Sequence, residues 1–64
     1  MPNDDIVEIK LPLTSDEAWA LAQLCKRFTY QHATELSTPT ERDAMLDAVR
    51  ATWRALAKFG YAPR

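Results

Sequence analysis

The chain has 64 residues, 47% of them hydrophobic and 27% charged, with a formal net charge of −1. That length accommodates one domain, and a domain so short buries only about 60% of its unfolded-state surface. The near-neutral balance gives no global attraction to nucleic acid or to an anionic membrane, and Cys25, as the only cysteine, excludes an intrachain disulfide.

Residues 1–5 read as a polar tail. Residues 6–13 (IVEIKLPL) alternate, with Val7, Ile9, Leu11 and Leu13 pointing one way and Ile6, Glu8, Lys10 and Pro12 the other. Period-two alternation with β-branched residues predicts a half-buried strand. Pro12, with no N–H to donate, suits an edge or a strand end. Thr14 followed by Glu17 has the capping-box spacing, so a helix is predicted over residues 15–31. Its expected core face is Ala18, Leu21, Leu24, Cys25, Phe28 and His32. Residues 33–37 read as a connection. Thr38, Pro39 and Glu41 mark a second start, with Thr38 as cap and Pro39 at the first helical position. The second helix is predicted over 39–59, with an apolar stripe of Met45, Val49, Thr52, Trp53, Leu56 and Phe59. Asp43, Asp47, Arg50, Arg54 and Lys58 make its solvated outer face. Gly60 is placed for a left-handed cap, and 60–64 form a short tail.

The expected class is therefore α+β, a single strand followed by two antiparallel helices. A lone strand leaves its backbone N–H and C=O groups unpaired. Residues 6–13 are accordingly expected to pair through Val7, Ile9, Leu11 and Leu13 with a second copy, as a two-stranded antiparallel ribbon in a homodimer. Joining the sheet edge of another protein is the alternative. The order strand, helix, helix resembles the ribbon-helix-helix class of dimeric DNA-binding regulators. In that class the outward ribbon residues enter the major groove, a role that would fall here to Ile6, Glu8 and Lys10. Glu8 repels phosphate, Glu41 and Asp43 flank the start of the second helix, and the glycine-containing turn of the class is absent. DNA binding is therefore the disfavoured alternative function.

No catalytic constellation emerges. A nucleophile needs a base within hydrogen-bond reach, yet Cys25 and His32 lie about 10 Å apart along one helix. Zinc asks for about four Cys or His ligands, so no metal and no cofactor is expected, and the chain reads as a non-enzyme. No basic and apolar leader opens the sequence and no apolar run reaches about 20 residues, so a cytoplasmic protein without a membrane span is expected.

One surface stands out for binding. Trp19, Gln23, Lys26 and Tyr30 recur at spacings of four, three and four, and Arg27 adjoins them. An exposed Trp and Tyr beside basic residues suit a protein-interaction hot spot; the competing reading packs Trp19 against helix two or a dimer mate. The segments Glu17-Ala18-Trp19-Ala20-Leu21-Ala22-Gln23 with Lys26-Arg27, and Gly60-Tyr61-Ala62-Pro63-Arg64, resemble a family of short uncharacterised proteins of proteobacterial genomes, prophages and plasmids. That resemblance supplies no catalytic residues. It implies a mobile-element setting, and with it a small protein-interaction module that regulates or inhibits a larger complex.

Overall fold

The computed structural model describes residues 6–63. It contains three helices, α1 (Ser15–Arg27), α2 (Tyr30–Leu36) and α3 (Pro39–Lys58), with α3 packed against both others. The described residues contain no strand, so the α+β, ribbon-helix-helix expectation is corrected to an all-α fold.

Helix α1 starts where its capping box requires. The Thr14 hydroxyl oxygen accepts from the Glu17 N–H at 3.1 Å, and the Glu17 carboxylate accepts from the Thr14 N–H at 2.9 Å. Asp16 and Glu17 in the first turn, and Lys26 and Arg27 in the last, complement the helix dipole. The helix ends at Arg27, short of the expected Gln31, because Phe28 and Thr29 are extended. A second reciprocal cap explains the break. The Thr29 hydroxyl accepts from the His32 N–H at 3.3 Å, while His32 Nδ1 accepts from the Thr29 N–H at 3.1 Å. A threonine that offers its side chain to the backbone competes with helix continuation. Histidine in place of the usual Glu or Gln hides the pattern in the sequence. The residues read as a connection accordingly fold into α2, closed by Ser37, whose hydroxyl donates to the Ala33 carbonyl at 2.6 Å.

Helix α3 starts at Pro39 as expected, but the predicted capping box does not form. Thr38 makes no side-chain cap bond. Its carbonyl oxygen instead accepts from the N–H groups of Glu41 and Arg42, each at 3.0 Å. At the other end, the Tyr61 N–H donates to the Leu56 carbonyl and the Gly60 N–H to the Ala57 carbonyl, both at 3.0 Å. This pair of bonds is a Schellman motif, and it needs the left-handed φ of 93° found at Gly60. No atom lies within 4 Å of where a Gly60 side chain would begin, so a substitution there probes the backbone alone. Gly60→Ala is expected to cost about 1–2 kcal/mol and to lower the melting midpoint by about 4–8 °C per kcal/mol. Thermal unfolding followed by circular dichroism would check this, and an unchanged midpoint would contradict the cap.

The fully buried side chains are small: Ala18, Ala22 and Cys25 in α1, and Ala33 in α2. Helix α3 contributes no fully buried residue, only half-buried Arg42, Met45, Leu46, Val49, Thr52 and Leu56. Leu24 and His32, expected in the core, are exposed, and so are Trp53 and Phe59 from the predicted stripe of the second helix. The physical reason is the seam itself. Alanines at the crossing bring the backbones close, so larger neighbours on either flank stand outside the contact.

Residues 6–14 form an arm without regular structure that leads into the cap of α1 at Thr14. Ile9 is 79% exposed, Leu11 59%, and Leu13 is half-buried, so cover increases toward α1. The pairing role expected of Val7, Ile9, Leu11 and Leu13 is thereby corrected. The described residues offer this arm no second strand. Ile9, Leu11 and Leu13 border helical surface instead, and water can solvate the exposed backbone of the arm.

Candidate functional site

Three apolar depressions lie around the Ala seam. The largest, about 320 Å³, is lined by Ile9, Leu11 and Leu13 of the arm, Leu21 of α1, and Thr52, Ala55, Leu56 and Phe59 near the end of α3. None of these side chains is charged, and Phe59 is 82% exposed. The second, 220 Å³, lies at the α1–α2 corner between Leu24, Arg27, Phe28, His32 and Leu36. Leu21 and Leu24, three residues apart on α1, border the first and the second depression respectively. The third, 190 Å³, lies across the seam, where Cys25, Lys26, Phe28 and Tyr30 meet Leu46, Val49, Arg50 and Trp53.

Of the five residues expected to bind a partner, Trp19, Gln23, Lys26 and Arg27 lie on α1 and Tyr30 on α2. Trp19, 42% exposed, meets Tyr61 edge to face, with ring centroids 5.1 Å apart and planes at 79°. Tyr61 in turn hydrogen-bonds Ser15 at 3.4 Å. Within the chain, Trp19 thus packs against the C-terminal segment. Gln23 is half-buried. Lys26 and Tyr30 line the third depression and Arg27 the second. Tyr30 belongs to α2, beyond the break at Phe28 and Thr29, so the helical spacing that linked it to Trp19 does not apply. Its ring also carries the Arg42 guanidinium, 4.7 Å from the centroid, which is a cation–π contact. The Arg42 Nε is buried with no hydrogen-bond partner among the described residues.

Cys25 sits in the α1–α3 seam, and burial pushes its thiol above the ordinary range. The thiol is therefore protonated near neutral pH and a poor nucleophile. His32 spends Nδ1 on the Thr29 cap. No group of three or more His, Cys, Asp or Glu side chains among the described residues is arranged to hold a metal ion. No helix among the described residues is long and apolar enough to cross a membrane.

Reading single helices found the components of the largest depression but not their assembly. Leu21, Leu56 and Phe59 were placed in cores, and Ile9, Leu11 and Leu13 in a ribbon. The signal that could have united them is an alternating arm directly before a capped helix, in a chain with no second strand.

The chain belongs to a family of unknown function (DUF7706), whose model matches residues 1–64. No curated protein matches it, and no solved structure does.

Proposed function

We propose that this DUF7706 member is a non-catalytic protein-interaction module, and that the groove between the arm, α1 and the end of α3 is its binding surface. The observation that carries this reading is the exposure of large apolar side chains around an uncharged 320 Å³ groove. Contiguous exposed apolar surface rimmed by polar residues is how soluble proteins present an interaction site. Phe59 is the natural anchor, since a ring standing free at the groove edge has the most area to bury. A regulator or inhibitor of a larger complex, the role implied by the resemblance of the Glu17–Gln23 helix segment and the Gly60–Arg64 tail, is the finer form of the same reading.

The test is photo-crosslinking. A benzoyl-phenylalanine introduced in place of Phe59 adds a reactive carbonyl at a position already aromatic and exposed. Irradiation of cells that make the full-length variant is expected to give discrete protein adducts. The same substitution at Ala20, an exposed site on the opposite side of α1 from the Ala seam, is expected to give none. A Phe59 probe that yields no adduct would contradict the binding surface.

A further inference from the structure

We infer that the occupant of this groove is a second copy of the chain, seated across a two-fold axis with the two α3 helices antiparallel. This rests on the reading of the groove as a protein-binding surface and names its partner.

Extent is the first support. The backbone spans 35 × 27 × 16 Å. Its radius of gyration, 12.8 Å, exceeds the roughly 10.7 Å of a compact domain of this length. The exposed area tells the same story. The chain exposes 5518 Å², against roughly 4,200 Å² for a compact monomer of its 7.3 kDa. The difference is about 1,300 Å². A stable interface takes about 800 Å² from each partner, so one additional copy would cover more than half of it.

Why a second copy, and not another protein? A fully buried set of three alanines and one cysteine gives this chain little with which to fold alone. Whatever completes it must be present whenever the chain is, in equal amount, and another molecule of the same chain always meets that condition.

The surface of α3 is built for self-pairing. Beside the groove, Ala44, Ala48, Ala51 and Ala55 run along the helix at spacings of four, three and four, all exposed, and Ala55 also lines the groove. The pattern is symmetric about a point between Val49 and Arg50. A two-fold axis there sets Ala44 against the partner's Ala55 and Ala48 against the partner's Ala51, which lets the helices approach closely. Charge selects the same direction. Glu41, Asp43 and Asp47 lie in the first half of α3, and Arg50, Arg54 and Lys58 in the second. Antiparallel helices put the acidic half of each beside the basic half of the other and oppose the two helix dipoles favourably. The one base in the acidic half, Arg42, is held over Tyr30.

Sedimentation equilibrium on the full chain, from about 1 to 200 μM where most specific dimers assemble, decides the matter. The expected mass is twice 7.3 kDa. Ala48→Glu and Phe59→Asp, both at exposed positions, are expected to keep the helical dichroism and raise the dissociation constant at least about a hundredfold. A wild-type mass of 7.3 kDa throughout, or two folded variants that dimerise unchanged, would overturn the inference. The wild-type mass alone suffices if a variant fails to fold. A monomer whose Phe59 probe still captures a different protein removes only the second copy. A monomer that yields no adduct removes the binding surface as well.

Discussion

Replacing Ala22 with leucine is expected to be among the most damaging single substitutions this chain can undergo. Ala22 has no exposed surface and lies on α1 between Ala18 and Cys25, on the seam with α3. None of the three depressions includes it, so three added carbons have no neighbouring space to enter. Overpacking of this kind costs about 1–3 kcal/mol. A domain of this size has about 3–5 kcal/mol in all, so the loss takes most of the margin. The melting midpoint is expected to fall by about 4–8 °C for each kcal/mol. Ala20→Leu, two residues away on the exposed side of α1, is the control and should leave the midpoint nearly unchanged. Equal effects at the two positions would show that the alanine seam does not hold α1 to α3.

The seam also explains what could be read from the sequence and what could not. Local chemistry was legible where one short pattern decides the outcome. Thr14 with Glu17 starts α1, Pro39 starts α3, and Gly60 ends it. The pattern at residues 28–32 was opaque, because a histidine accepting through Nδ1 does the work that Glu or Gln usually does in a capping box. The one predicted helix is therefore two, α1 and α2, and the helical spacing from Trp19 does not extend to Tyr30. Core assignments went astray for a related reason. Hydrophobic periodicity ranks leucine and phenylalanine above alanine, whereas here the alanines make the contact and Leu24 and Phe59 remain outside.

The arm is the instructive case. Alternation over residues 6–13 predicts a strand, and the structure has none there. Alternation does not report what lies beside the segment. A strand partner was the simplest guess, yet Ile9, Leu11 and Leu13 line a groove between helices. That difference changes the functional reading. A ribbon would have placed Glu8 and Lys10 toward a nucleic acid, whereas the observed arm helps to line an uncharged groove suited to protein.

A chain that depends on association should unfold according to its own concentration. For a chain folded only as a dimer, each tenfold dilution lowers the stability by about 1.4 kcal/mol, or about 2.7 kcal/mol over a hundredfold range. Chemical denaturation of the wild-type chain at about 1 and about 100 μM is therefore expected to give well-separated curves, with the higher midpoint at the higher concentration. Superimposable curves, with full helical signal at both concentrations, would show that the chain is stable alone and needs no second copy.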